Sequence, residues 1–236
     1  MDSYSRTARL YPALLALLPG TVGIVVFFDL AAWVRTVVLV VVAAGLHVAV
    51  MVKVSDVGRA RQDRVWARLG GNPTALRMRW ATSTDDARLA EEHRRVQVMS
   101  GIELPTRGSE QADPAAAIRT YERAVRRLRE KTRDVDKYPR VRAELIAYGF
   151  ARNVFGLRRA GIAFAALIGM ASAVTGLLGY VGFLQVDAWR PIVVSLFAVA
   201  WIGVWLFTFT GDYARRASDK YAAALLDAAD LPDRSA

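Results

Sequence analysis

The chain contains no cysteine and only two histidines, His47 and His93. The lack of cysteine excludes disulfides, thiolate nucleophiles and cysteine-based zinc sites. No second histidine completes a zinc-binding helix around His93, so we expect His93 to be a surface residue rather than a metal ligand. Neither a G-x-S-x-G motif nor a Walker-type phosphate loop is present. These absences predict a protein that is not an enzyme and that binds neither a metal nor a cofactor.

Acidic residues are missing from four long apolar runs, at 10–28, 36–54, 161–183 and 191–208. A helix of roughly 20 apolar residues crosses the hydrocarbon layer of a bilayer, and each run is close to that length. The lack of a carboxylate inside the runs argues against a proton-coupled transporter. A cleaved signal peptide is not expected, because the first run has full bilayer length and a second run follows it closely.

Charged residues are concentrated between the second and third runs and near the termini. Lys and Arg total 32 against 22 acids, whereas the short loops at 29–35 and 184–190 carry one Arg each. Because positive residues mark the cytoplasmic side of membrane proteins, the middle block and both termini are predicted to be cytoplasmic. The sequence therefore predicts an all-α integral membrane protein with four transmembrane helices and a helical cytoplasmic domain between spans 2 and 3. Its predicted parts are a first pair of spans (1–54), a basic helical domain (55–159), a second pair of spans (160–210) and a cytoplasmic tail (211–236).

Two stalk helices are predicted to connect the spans to the middle block. The second span continues as a helical pattern to Leu69, where the pair Gly70–Gly71 ends the last turn and Pro73 is expected to prevent the helix from resuming. A later helix begins near Pro139 and continues into the third span, with Gly156 and Gly161 as candidate kinks.

Capping residues mark two further helices between the stalks. The run Ser83–Thr84–Asp85–Asp86 predicts the start of a helix that continues to about Met99. Residues 105–111 are predicted to form a loop. Asp113 followed by Pro114 is typical of a helix start, and the helix after it has one apolar face and many arginines on its other sides.

Basic and aromatic side chains of the middle block predict a pocket for a small anionic nucleotide. Arg77, Arg79 and Trp80 follow the glycine turn, and further basic residues occur between positions 126 and 133. Guanidinium groups suit phosphates, and an indole ring can stack on a base. The alternative is a solvated helix face with internal ion pairs and an attraction to anionic membrane lipids. No module that reads duplex nucleic acid is recognisable, so no duplex partner is expected.

Polar residues inside the spans are candidates for a pore or gate: His47, Ser172 and Thr175. The alternative for His47 is a hydrogen bond to a neighbouring helix. Small residues recur through the third span and predict close packing against protein. Four short spans in one chain could scarcely enclose a conduit, so a channel requires a homo-oligomer.

Three phrases resemble a family of bacterial proteins: GGNPTALR at 70–77, LREKTRD at 128–134 and AYGFARNVFGLR at 147–158. They are similar to four-span membrane effectors of antiphage defence gene pairs that include a nucleotidyltransferase, the Hailong-type channel effectors. The resemblance implies a homo-oligomer, a tetramer by analogy, in the bacterial inner membrane. It also implies a channel that a nucleotide or oligonucleotide controls and that depolarises and arrests the infected cell, with the nucleotidyltransferase as genetic partner.

Motif position within these phrases adds Arg133, Arg152 and Asn153 to the predicted ligand-binding residues, beside Arg77. In the family a second arginine often precedes the Arg–Asn pair, but this chain has Ala151 there. An alternative function stays open, namely a non-conducting scaffold or sensor that docks a protein partner through the basic cytoplasmic face. A lipid-active enzyme would require a nucleophile or a metal set that the sequence does not contain.

Overall fold

A computed structural model describes Tyr4 and residues 6–27 and 72–230 of the chain. His47, the second predicted span, the first stalk and the Gly70–Gly71 pair lie outside the described residues. The described residues form helices without any strand, which confirms the all-α fold class for them. The helices are α1 (Tyr11–Phe27, after a π-helical turn at Arg6–Leu10), α2 (Pro73–Arg77), α3 (Asp86–Ser100), α4 (Arg107–Ala112), α5 (Pro114–Lys131), α6 (Pro139–Tyr180), α7 (Trp189–Phe207) and α8 (Gly211–Asp227).

The described residues form two compact units. The first, which we call the span unit, contains Tyr4 and residues 6–27 and 149–214. The second, which we call the helical unit, contains residues 72–148 and 215–230. Both α6 and α8 contribute residues to each unit.

Three helices are long and apolar enough to cross a membrane: Arg6–Phe27, Pro139–Tyr180 and Trp189–Phe207. They correspond to the first, third and fourth apolar runs of the sequence. The 19 residues of α7 rise about 28 Å at 1.5 Å per residue, close to the thickness of a bilayer's hydrocarbon layer. Length and composition therefore support a membrane protein with transmembrane helices.

Contacts at several levels define how the three apolar helices pack in the span unit. Asn153 on α6 donates to the carbonyl of Ala8 at 2.7 Å, and further along both chains Gly20 lies against the ring of Phe164, so α1 and α6 run in the same direction. Trp201 on α7 donates from its indole to the carbonyl of Leu15 at 2.9 Å.

Small residues of α6 bring it close to α7, as the sequence predicted. A methyl group added at Gly169 would lie 3.0 Å from Cβ of Ala198. Ser172 donates to the carbonyl of Pro191 at 3.0 Å. The tightest point is Gly161, because an added Cβ there would lie 2.6 Å from the Trp205 ring. The predicted close packing of the third span is therefore confirmed, and Gly161 allows this packing within a helix that continues past it.

The core of the helical unit is built by apolar faces of α3, α5 and α8. Val96, Tyr121, Leu128 and Leu225 are all completely buried in it. The ring of Tyr221 stacks on Tyr148 with their centroids 5.9 Å apart. Within the segment 211–236, predicted as a cytoplasmic tail, the helix α8 thus contributes its apolar face to this core.

Local capping agrees with the sequence at two helix starts and differs at one other segment. Asp85 accepts from the amide of Arg88 at 3.0 Å, and Asp113 accepts from Ala116 at 2.9 Å with Pro114 in the first helical position. The predicted loop at 105–111 instead contains α4, which the side chain of Thr106 caps.

Pro73 is the first residue of the short helix α2, and the stalk helix that it is expected to stop lies outside the described residues. Asn72 caps α2 by accepting from the amide of Thr74 at 3.0 Å. Proline is suited to the first helical position because its missing N–H would have no partner there and its φ angle is already helical.

We expect Gly161→Ala to destabilise the span unit by about 1–3 kcal/mol, because the added methyl group meets a fully buried indole. The thermal midpoint of the purified protein in detergent should fall by several degrees. Gly203→Ala is the matched control, since no atom lies within 4 Å of the added Cβ and alanine favours helix. An unchanged midpoint in Gly161→Ala would show that Trp205 moves aside without loss.

Candidate functional site

An open cleft of about 790 Å³ lies between the end of α3 and one face of α5 in the helical unit. The side chains that line it are mostly basic or polar: Ser100, Gly101, Ile102, Arg123, Arg126, Arg127, Glu130 and Lys131.

The helical period of α5 accounts for the basic side of the cleft. Residues that recur at three- and four-residue spacing share one face of a helix. Tyr121, Ala124, Val125 and Leu128 are buried, so the intervening residues from Arg123 to Lys131 point outward.

The opposite side of the cleft is formed where α3 ends. Gly101 has a φ of 69°, the left-handed conformation that closes a helix, and glycine adopts it without steric strain. The chain then turns so that the amide of Ile102 donates to Oγ of Ser100 at 3.2 Å. Ile102 packs against the core of the helical unit.

The cleft carries an excess of positive charge. Arg127 pairs with Glu130 at 3.1 Å, and Arg123 donates to Oγ1 of Thr120 at 3.1 Å. Neither Arg126 nor Lys131 forms an ion pair within the described part of the chain. Clefts lined by one sign of charge concentrate counter-charged ligands, and guanidinium groups match phosphate and carboxylate geometry. The arrangement therefore suits an anionic ligand.

A buried carboxylate holds two of the predicted ligand-binding residues in a different place. Glu110 is only 2% exposed and accepts four hydrogen bonds. The donors are Arg79 Nε at 3.1 Å, Trp80 N at 2.9 Å, Ala81 N at 3.3 Å and Tyr121 Oη at 2.8 Å. Burial acts to raise the pKa of Glu110, but the hydrogen bonds together hold it below its ordinary value.

Trp80 is also held by the fold. Its indole N–H donates to the carbonyl of Pro105 at 2.9 Å, and its ring meets that of His93 edge-on, with centroids 4.9 Å apart. Arg79 and Trp80 thus join the loop before α3 to α4 and α5. Ligand binding by Arg79 and Trp80 stays a prediction, but neither residue lines the cleft.

His93 is 4% exposed, so the expectation of a surface histidine is wrong. Its Nε2 lies 2.7 Å from the carbonyl oxygen of Met78, and its ring also contacts Tyr121. Burial lowers the pKa of His93, although the Met78 carbonyl and the nearby Glu110 oppose that shift. The buried positions Leu89, His93, Val96 and Ser100 follow helical spacing, a signal that the neighbouring acids Glu91 and Glu92 obscured.

The other predicted ligand residues belong to both units. Arg77 and Arg133 are exposed on the helical unit. Burial raises the pKa of Glu92, and the positive charge of Arg77 opposes that shift. Asn153 is completely buried in the span unit, where it bonds to Ala8 and accepts from Nε of Arg152 at 3.3 Å.

The predicted pore residues that the structure describes make hydrogen bonds inside the span unit. The hydroxyl of Ser172 is bonded to Pro191, and that of Thr175 donates to the carbonyl of Ala171 at 2.9 Å. A pore role for Ser172, Thr175 and His47 stays a prediction. Among the described residues no group of three or more acidic or histidine side chains is placed to hold a metal ion.

We expect Glu110→Gln to reduce the free energy of unfolding by about 1–3 kcal/mol at pH 7, because an amide cannot accept all four hydrogen bonds. The folded-state pKa is lowered, so this stabilisation is present above the ordinary carboxyl range and is lost as pH falls through the folded pKa. Thermal midpoints between pH 7 and pH 3 should therefore fall more steeply in the wild type than in the variant. Glu103→Gln, at an exposed position, is the control and should keep the wild-type slope.

We expect His93 to titrate below its ordinary pKa of 6.5, because protonation would place a charge in the core. A proton NMR titration of a His47→Asn variant isolates the signal of His93, since the chain has no other histidine. Stability should fall as pH decreases from the ordinary range toward the folded pKa, because the unfolded chain binds the proton more readily. A midpoint at or above 6.5 would contradict the burial of the ring.

Comparisons with known proteins do not assign this site. A scan against protein-family models, a search of curated proteins and a search of solved structures each gave no match.

Proposed function

We propose that this protein is a homo-oligomeric channel effector of the bacterial inner membrane, controlled by a nucleotide or oligonucleotide that binds the cytoplasmic helical unit. The observation that carries the proposal is the cleft of about 790 Å³, in which cations outnumber carboxylates, within a chain that has three described helices long and apolar enough to cross a membrane.

The charges of the cleft support a phosphorylated ligand. Arg126 and Lys131 form no ion pair within the described residues, so binding an anion would not require breaking one. Charge-assisted hydrogen bonds between guanidinium and phosphate are about twice as strong as neutral ones. The volume exceeds what an inorganic ion needs and lies in the usual range of small-molecule sites.

The distribution of arginine in the span unit supports a cytoplasmic helical unit. The basic residues at the end where α1 begins and α7 ends are Arg6, Arg9, Arg152, Arg158 and Arg159. At the opposite end, Arg190 is paired with Asp187 at 3.0 Å. An excess of arginine beside the ends of spans marks the cytoplasmic side.

The continuity of α6 supports coupling between ligand and channel. This helix has 42 residues and includes both helical-unit and span-unit positions. A ligand shifts a conformational equilibrium only when it binds the two states unequally. We propose that binding in the cleft favours one arrangement of α6 and thereby one conductance state of the oligomer.

The three phrases that resemble Hailong-type effectors support a role in antiphage defence. The proposed partner is a nucleotidyltransferase encoded beside this gene, which would produce the controlling nucleotide or oligonucleotide. Depolarisation of the membrane would then arrest the infected cell.

A second candidate function is a non-conducting scaffold, and the surface around Val98 favours it. This side chain is 80% exposed on α3, three residues before Gly101 of the cleft. Protein interfaces combine apolar contacts with a polar rim. In this function the basic face and Val98 together bind a protein partner, and the spans only anchor the chain.

Reconstitution in liposomes separates the two functions. A short single-stranded oligonucleotide should change ion flux through the wild type. The double variant Arg126→Ala with Lys131→Ala should need at least about 100 times more ligand, since each lost charged contact costs about 1.5 kcal/mol or more, roughly a factor of ten in affinity. Arg88→Ala is the control, because Arg88 is exposed on α3 and about 20 Å along the helix from Gly101.

The outcomes of this measurement are distinct. The proposal is supported if the oligonucleotide changes ion flux at the same concentration in the wild type and in Arg88→Ala, and only at a higher concentration in the double variant. Absence of flux under every condition contradicts the channel. If flux is absent and Arg126→Glu abolishes capture of a purified protein partner, the scaffold function is supported instead of the channel function.

A further inference from the structure

One face of α6 in the span unit is apolar and exposed along several turns. Leu167, Met170 and Val174 are 57%, 61% and 55% exposed, and Ala163 is also exposed. At 3.6 residues per turn these positions lie within about 80° of one another around the helix, together with Arg159.

The opposite side of α6 makes the contacts with the other spans. Gly161, Ala165, Gly169 and Ser172 lie on that side, where they approach Trp205, Ala198 and Pro191 or are completely buried. The exposed face from Arg159 to Val174 is therefore not covered by α1 or α7.

Arg159 lies at the level where the apolar part of the span unit ends. Its neighbour Arg158 donates to the carbonyls of Trp205 and Leu206, each at 3.1 Å, and α7 ends at Phe207. Arg159 itself is exposed and forms no ion pair among the described residues. A cation thus precedes, by one helical turn, an apolar face that begins at Ala163.

We propose that this face of α6, from Arg159 to Met170, binds a phospholipid with an anionic headgroup. The headgroup phosphate bonds to the guanidinium of Arg159, and an acyl chain lies along Ala163, Leu167 and Met170. The 11 residue steps from Arg159 to Met170 rise about 16 Å, roughly half of a 30 Å hydrocarbon layer, so the face matches one leaflet.

Charge complementarity favours a lipid over a second copy of the chain. In a closed oligomer whose axis crosses the membrane, equivalent residues lie at the same level. Covering this face with its own copy would bring the Arg159 side chains of neighbouring chains to one level, and like charges repel. An anionic phosphate instead neutralises Arg159, and juxtamembrane arginines each contribute about 1 kcal/mol to binding acidic lipid, roughly five-fold in affinity.

A fluorescence quenching experiment tests the proposal on the full-length protein. The chain has no cysteine, so Met170→Cys creates a single thiol that can carry a bimane label. The labelled protein is reconstituted in phosphatidylcholine with a small, fixed fraction of lipid that has brominated acyl chains, either phosphatidylglycerol or phosphatidylcholine. Brominated phosphatidylglycerol should occupy the site roughly five times more often than brominated phosphatidylcholine.

Charge variants identify the source of that preference. Arg159→Gln should bring the two lipids to equal quenching, whereas Arg88→Gln, in the helical unit, should leave the preference unchanged. A bimane label on Val174→Cys reports from a second position on the same face. The test therefore does not depend on labelling at residue 170 alone.

Two results would overturn the proposal. Equal quenching by the two brominated lipids in the otherwise wild-type protein would show that no anionic headgroup is selected. Weak quenching by both lipids, with efficient disulfide dimer formation when unlabelled Met170→Cys is oxidised, would show that a second copy covers the face. Neither result depends on ligand binding in the cleft or on ion flux, so this inference and the proposed function fail separately.

Discussion

The constraint on which the described structure depends is that α6 satisfies its own backbone hydrogen bonds over 42 residues. A helix can therefore pass through apolar surroundings without unpaired polar groups, which a strand edge or loop cannot do in lipid. Its side chains alone decide what each turn contacts. Val141 and Tyr148 pack in the core of the helical unit, whereas Val154 and Leu157 pack in the span unit.

The two units hold their helices together by different interactions. In the span unit, where apolar association has little driving force in lipid, close approach at Gly161 and Gly169 and the hydrogen bond of Ser172 hold the helices together. In the helical unit, burial of apolar faces is supplemented by the four hydrogen bonds to Glu110, which attach the loop before α3 to the helices that follow. The cleft is formed on the exposed arginine-rich side of α5, opposite the face that makes the core.

The helix starts after Asp85 and Asp113, the described apolar runs and the packing of the third span were predictable because each rests on residues close together in sequence. Asp113 with Pro114 is a local signal, and the cap that it predicts is present. The cleft was only partly predictable. The arginines at 126 and 127 stood out as a basic face, but their position opposite Gly101 and Ile102 depends on how α3 packs against α5. Arg79 and Trp80 looked like ligand residues because the sequence does not show that Glu110, some 30 residues later, would bond to both.

By itself the sequence determined the helical class, the separation of apolar from charged segments and the places along the chain where positive charge is concentrated. These features follow from composition and from the spacing of apolar residues. Only the tertiary structure decided which polar groups form hydrogen bonds or ion pairs with other parts of the protein. The carboxylate of Glu110 accepts hydrogen bonds from the side chain of Arg79 and the amide of Trp80. His93 is hydrogen-bonded to the carbonyl of Met78, and Asn153 to the carbonyl of Ala8. Arg126, Lys131 and Arg159 stay exposed, without an ion pair among the described residues. The physical reason is that a hydrogen bond or an ion pair requires two groups within about 3 Å, and folding alone brings together residues that are far apart in the chain.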